Sequence, residues 1–326
     1  MANCFTTSLG RHVPVTPLHD SIHLDQIEGV NNFREIGGWP IATPSTVRDK
    51  DPEIVTKVRH GFLYRGGDTV RITAYGEMVL RYYKIKKDFD LRSKQQIEKL
   101  GSKKIDRIEY VWAPVFAEED YTEEAAQRRY EQYAGDGTEG IVEAFIEILT
   151  HGAKMFRQVL HGFLDDKHAT VFMHCTTGNN RTGVFVSLLL LLLNVPHAAV
   201  CKEYALSEKG LAKTRHVNIA RLLAKGAFKE YDEAERQRRC ERMLGAREES
   251  MEALITEVYR RWQGPEGYFK ELVGLNDEEI KRLRTIMSTP KHVPFLPRDS
   301  IRSGDDPSVG EATSAGEDHP VGEAPG

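Results

Sequence analysis

The spacing of apolar positions changes period several times along this chain. The stretches "GFLYRGG" (61–67), "KDFDLRS" (87–93), "DRIEYVWAPVF" (106–116) and "ATVFMH" (169–174) are short apolar or alternating runs closed by glycine, proline or polar clusters, which predicts strands. "GVNNFREIGGWP" (29–40) reads as another short strand entering a turn, with Pro40 expected to stop pairing and residues 41–60 expected to form a polar loop. Between these runs the period is helical. "TAYGEMVLRYYKI" has Thr73 placed as its cap, and "KQQIEKL" and "YTEEAAQRRYEQYA" follow the next two strands. "GIVEAFIEILTHGAKMFRQVLHGFL" (140–164) predicts one long amphipathic helix. From Arg181 onward helices are expected over 182–194, 197–206, parts of the charged stretch 213–262, and 277–287.

Strands alternating with helices predict an α/β fold with a largely parallel sheet of four or five strands, covered by helices on both faces. Ligands of such sheets sit beyond the carboxyl ends of the strands. The chain is expected to divide into a flexible N-terminal segment (1–24), one folded domain (25–288) and a disordered acidic tail (289–326). Six acidic residues between Asp305 and Glu323, with no Lys or Arg among them, account for more than the whole formal charge of −4. The remaining body is close to neutral and has no basic tract, which argues against nucleic acid as a partner. The longest apolar run, Val184 to Leu193, is about half of a bilayer span and reads as a core helix, so no stable membrane insertion is expected. Four scattered cysteines without a CxxC pair, and no secretory leader pattern, lead us to expect a reducing, cytoplasmic setting. His12, His19 and His23 have the spacing of no known metal site. Oligomeric state leaves no mark in the pattern.

The chemistry concentrates in "HCTTGNNRTG" (174–183), between a strand and a helix. Backbone amides of Thr176, Thr177, Gly178, Asn179 and Asn180 can curl into a nest around a dianion, Gly178 supplying the unusual backbone angles. The helix that follows points its positive end at the same place. Arg181 adds a planar fork able to hold two phosphate oxygens. Cys175 is then either a buried structural thiol or a nucleophile. A free thiol of pKa about 8.5 is only about 3% ionised at pH 7, so complete ionisation gains about 30-fold, or about 2 kcal/mol. Any large rate enhancement must therefore come from Arg181, the amides and protonation of the leaving group. The other three cysteines lack an arginine at this spacing.

The ordered set "GVNNFREIGG", "FLYRGG", "DFDLRS" and "HC..G..RTG", with the ending "EESMEALITEVYRRWQGPEGYFKELVGLNDEEIKRLR", resembles the atypical cysteine-based tyrosine and lipid phosphatases (tyrosine phosphatase family 3) from about Ile27 to Met287. The resemblance implies a phosphatase-type fold with an extra helical lid around 121–160. It also implies hydrolysis of a phosphomonoester, on a phosphorylated protein or a small molecule, through a phosphocysteine and without metal or cofactor. His174 would buttress the loop, Thr182 would hydrogen-bond the Cys175 sulfur, and Asp90 would lie near the pocket. Many members of that family carry Lys-Asp where this chain has Asn179-Asn180, and Asn is neither an acid nor a cation. Protein tyrosine phosphatase activity is the leading expectation. The alternatives are a small-metabolite or phosphoinositide phosphatase, or a phosphate-binding pseudophosphatase. The general acid must then come from elsewhere or be weak, and its candidates are Asp90 and Asp120, with Glu118 and Glu119 behind them. Arg34 and Arg65 either reach the phosphate or make surface ion pairs, and Arg92 is expected to pair with Glu98.

Overall fold

The computed structural model describes residues 27–118 and 122–288, all within one compact unit. The expected N-terminal segment (1–24), Glu119, Asp120 and the acidic tail lie outside the described residues. Five strands form the main sheet: β1 (Arg34–Glu35), β4 (Leu63–Gly66), β5 (Lys87–Asp90), β6 (Glu109–Trp112) and β7 (Val171–His174). Their order is β1-β4-β7-β5-β6, parallel except for the β1–β4 pair. The hairpin of β2 (Pro40–Ala42) and β3 (Ile54–Lys57) is a second sheet that the sequence pattern concealed. Pro40 opens β2 opposite Lys57 instead of ending a strand, a position where its missing N–H costs nothing.

Period-two alternation sorts the central strand between two cores. Val171 and Met173 of β7 face one apolar cluster with Leu63 and Phe89, while Phe172 faces the other with Phe33 and Tyr64. The first core is covered by α4 (Glu139–His151), α5 (Ala153–Asp165) and α6 (Asn180–Leu192), and the second by α1 (Ala74–Tyr82). Thr73 caps α1 as expected, its hydroxyl accepting from the Gly76 amide at 3.2 Å. Ser93 and Gln96 form a reciprocal capping box on α2 (Lys94–Leu100).

The remaining helices are α3 (Glu123–Ala134), α7 (His197–Ala224), α8 (Glu233–Met243), α9 (Glu248–Trp262), α10 (Pro265–Glu271) and α11 (Asp277–Ser288). Three expectations about helices are corrected. The long helix over 140–164 is broken at Gly152 into α4 and α5, and both are core helices, with Phe145, Ile148, Phe156 and Leu160 fully buried. Of the expected lid, α3 packs on α4 and α8 and sends Tyr133 into the larger core. The helix starting at His197 runs on to Ala224, since nothing in its middle breaks it.

Gly178 has φ +68, and a Cβ there would lie 2.1 Å from the Gly66 carbonyl oxygen. Gly101 has a similar φ of +82 but opens onto empty space. Gly101, with ψ 174, lies in a backbone region that only Gly adopts readily, so Gly101→Ala should cost about 1–3 kcal/mol of backbone strain alone, and Gly178→Ala distinctly more, because the loop must also separate from the backbone at the end of β4. Paired urea denaturation curves check the difference.

Candidate active site

The loop between β7 and α6 is held from outside by its carbonyl oxygens. The Asp68 amide donates to Thr176 O at 3.3 Å, and Asn32 Nδ2 donates to Thr177 O at 3.1 Å. Arg65 Nη2 donates to Gly178 O at 2.6 Å and to Asn179 O at 3.3 Å. A peptide unit carries its N–H opposite its C=O, so four outward carbonyls turn the amides of Thr177, Gly178, Asn179 and Asn180 inward. The result is a concave nest continued by the first turn of α6.

The donors behind the loop are themselves fixed. Glu203, fully buried on α7, accepts from Arg65 Nη1 at 2.6 Å and from Arg34 Nε at 2.8 Å. Burial works to raise the Glu203 pKa, but the two guanidiniums outweigh it and hold the carboxyl below its usual range. Arg34, lowered to about 10 by burial and by Arg65, remains a cation. Arg34 also donates to Asn32 Oδ1 at 2.5 Å. Asn32 tolerates φ +58, as asparagine does more readily than most residues. Arg34 and Arg65 thus neither line the pocket nor sit on the surface: both are fully buried braces.

Cys175 lies at the base of the nest, 2% exposed. Burial alone would raise its pKa. The Arg181 charge, the Thr182 side chain and the amides of Thr182 and Gly178 outweigh that and lower it below the ordinary thiol value. Arg181 is aimed by the element across the loop: its Nη1 donates to Gln96 Oε1 at 2.6 Å and to Leu91 O at 3.3 Å. Its Nη2 donates to Thr176 Oγ1 at 3.3 Å. Tyr133 of α3 is buried within electrostatic reach of Arg181 and Cys175, and burial chiefly pushes its phenol pKa up.

Beneath the loop, on the opposite face of the sheet from Arg65, His174 is enclosed by two carboxylates. Its Nε2 is 3.2 Å from Asp88 Oδ1 and its Nδ1 3.8 Å from Asp90 Oδ1. Burial works to lower its pKa, but Asp88 and Asp90 prevail and raise it to about 9, so it is an imidazolium at neutral pH. Asp90 itself takes Arg92 Nη2 at 2.6 Å and the Tyr110 hydroxyl at 3.0 Å, and is fully buried. Despite burial, His174 and Arg92 hold it to about 2. Asp90, expected as one candidate for the general acid, is held within the frame by these pairings, which favour its ionised form. Arg92 pairs with Asp90 rather than Glu98, which α2 leaves exposed.

The two asparagines at the loop tip are tied to the helical half. Asn179, 3% exposed, donates through Nδ2 to Gly245 O at 2.9 Å, which an aspartate could not do. Asn180 Oδ1 accepts from the Tyr204 hydroxyl at 3.2 Å. The sequence singled out Cys175, Arg181, Thr182, His174 and the tip, and the structure brings them together. It did not single out Gln96, Asn32 or Glu203. Only Gln96 carried a readable signal, as the third residue after the Ser93 cap.

A strand–loop–helix nest with a buried, acidified thiol and an aimed guanidinium belongs to the class of sites that hold a phosphate-like oxyanion. Residues 25–289 match the model of the tyrosine phosphatase family, and the chain belongs to that family. A protein of Nostoc commune described as a tyrosine-protein phosphatase is 28% identical over 152 residues, 44% of this chain. The match spans about half the length of that relative, 47% of it. Among the described residues no helix is long and apolar enough to cross a membrane, and no cluster of metal-binding side chains occurs.

Glu203→Gln should cost about 3–5 kcal/mol, because it leaves two buried guanidiniums without a counter-charge; a chemical denaturation midpoint measures it. His174 gives a second expectation, with the opposite pH sense from a paired acid. Its folded pKa of about 9 exceeds the unfolded value of 6.5, so the stability it lends is complete below about pH 6.5 and is lost as pH rises through about 9. Imidazole NMR titration should find its midpoint near 9, and urea midpoints should fall across the same range.

Proposed function

We propose that the protein hydrolyses phosphomonoesters through a phosphocysteine intermediate, with protein phosphotyrosine as the leading substrate class. The observation that carries this reading is the nest: four carbonyls pulled outward by fixed donors, so that inward amides and Arg181 converge over Cys175. The Cys175 thiolate attacks phosphorus as the P–O bond to the leaving group breaks, and an acid delivers a proton to that oxygen. Water then attacks phosphorus, the P–S bond breaks, and Cys175 leaves as thiolate. Arg181 and the amides match the three equatorial oxygens of both transition states. No metal or other cofactor has a role in this scheme.

With Asp90 committed to its ion pair, Asp120 takes the acid's role. It follows a segment pinned beside the loop: the Ala113 amide donates to Asp90 O at 3.0 Å, and Glu118 pairs with Lys94 at 2.5 Å, at the start of the helix that holds Arg181 through Gln96. A phosphate-bound, water-poor pocket raises the pKa of a carboxyl group brought into it, which suits the acid's role.

Hydrolysis of an aryl and an alkyl phosphate, measured with EDTA present, tests the scheme. Cys175→Ser should abolish turnover of both while orthophosphate or vanadate still binds. Turnover surviving that substitution would remove the covalent mechanism. Asp120→Asn should slow the alkyl ester by about 100-fold or more and the aryl ester much less, because only the poor leaving group needs the proton. Equal slowing of both esters would remove Asp120 from that role.

A further inference from the structure

Four arginines stand around the loop, and three of them meet carboxylates. Arg34 and Arg65 share Glu203, and Arg92 pairs with Asp90. Arg181 differs. Among the described residues no carboxylate pairs with it, and its partners are three neutral oxygens: Leu91 O, Gln96 Oε1 and Thr176 Oγ1. A guanidinium held in this way is fixed in place while its charge is left for a ligand.

Its hydrogen bonds also decide which edge the ligand meets. A guanidinium has one N–H on Nε and two on each Nη. Both Nη1 hydrogens are taken, by Gln96 Oε1 at 2.6 Å and Leu91 O at 3.3 Å. One Nη2 hydrogen goes to Thr176 Oγ1 at 3.3 Å. The Nε hydrogen and the second on Nη2 remain, neighbouring donors on a half-buried side chain. Neither nitrogen is among the buried polar atoms left without a partner.

The bond to Gln96 is the shortest of the three, and Gln96 is anchored to make it. Its backbone amide donates to Ser93 Oγ at 3.3 Å, and its Oε1 also accepts from the Ser93 amide at 3.3 Å. Ser93 is buried, and Arg92 before it is fully buried against Asp90. The Arg92 carbonyl in turn accepts from Trp112 Nε1 at 2.9 Å. The oxygen that meets Arg181 is thus tied to the end of β5 through side chain and backbone alike. Arg181 is a long side chain with many rotamers to lose when an anion orders it. A fixed acceptor removes much of that loss before the ligand arrives.

We infer that Gln96 is a positioning residue for the reaction: it takes up Nη1 of Arg181 and so presents the Nε–Nη2 side of the guanidinium to the phosphate over Cys175. This rests on the phosphohydrolase reading for the ligand and adds a side chain of α2 to the site.

The arginine's holder and the helix cap can be told apart. Ser93→Ala breaks the other half of the same capping box and leaves the Gln96 side chain in place. Calorimetric titration of the full chain with orthovanadate reads the effect without turnover. Gln96→Met should weaken vanadate about tenfold or more, the size of one charge-assisted contact, and Ser93→Ala less than about twofold. The pH profile of Cys175 alkylation by iodoacetamide is the second readout, since burial pushes the thiol pKa up and the Arg181 charge is foremost in pulling it down. Gln96→Met should move that profile to higher pH, and in an Arg181→Ala background it should move it no further. Equal weakening of vanadate by Gln96→Met and Ser93→Ala would mark Gln96 as a cap only and overturn the inference. So would a profile that Gln96→Met leaves untouched, or one that it still shifts once Arg181 is gone. Hydrolysis of phenyl phosphate is read separately. Turnover that Gln96→Met leaves at the wild-type rate, with vanadate affinity unchanged, defeats this inference alone. Both Gln96 effects in a chain without turnover defeat the phosphohydrolase reading alone.

Discussion

One buried carboxylate, Glu203, holding two buried guanidiniums is the interaction on which the loop depends. A buried ion pair is a poor source of stability, because desolvation consumes most of its Coulomb gain and apolar residues of the same volume often do as well. Direction is what it supplies here. Arg65 is a rigid fork with one edge on Glu203 and the other on the carbonyls of Gly178 and Asn179. Arg34 uses the same carboxylate and fixes Asn32, which takes the carbonyl of Thr177. An apolar replacement could fill the space but could not turn a peptide unit. Once the carbonyls face outward, the amides face inward without any side chain to hold them there.

A second charged network lies across the sheet and has a different task. The alternation of β7 sends Met173 into the larger core and His174 to the other side, where Asp88 and Asp90 meet it. His174 Nδ1 is 3.4 Å from the Cys175 carbonyl, so the imidazolium underpins the strand's end directly beneath the thiol. Asp90 joins this network to Arg92, and the backbone of the same segment reaches Arg181 through Leu91 O. The guanidinium above the thiol and the imidazolium below it are thus positioned by one strand end, β5. The cost of burying these charges is offset in part by the opposite charges placed against them.

Much of this was legible in the chain, and the parts that were not share a cause. The strands β4 to β7 and the helices α1, α2 and α6 announce themselves because each has a clean period and a punctuating Gly, Pro, Ser or Thr. The β2–β3 hairpin does not, since β3 alternates only half-buried residues and is preceded by a charged run. The break at Gly152 is hidden because the apolar stripe continues in phase on both sides of it. Within the site, Cys175, Arg181 and the tip were readable as a local motif. Glu203 lies 28 residues beyond Cys175 in a helix of mixed charge, where a single Glu looks like any solvated one. Asp90 was expected near the pocket, but its ionisation is set by His174 and Arg92 together against burial, and that convergence exists only in three dimensions.

The two asparagines follow from the same division of labour. A tip residue can serve the substrate or serve the frame, but a single side chain cannot do both at full strength. Here Asn179 needs a donor for the Gly245 carbonyl and Asn180 an acceptor for Tyr204, and both are satisfied by neutral amides inside a nest already rich in positive potential. An aspartate at 179 would meet the Gly245 carbonyl with repulsion. A lysine there would have to bury its ammonium or turn outward and release the α8–α9 connection. With the tip committed to the frame, neither asparagine is left to act as an acid or as a cation toward a bound group. The Asn179–Gly245 contact instead ties the loop to the connection between α8 and α9, so that the loop and the helical half hold their positions together.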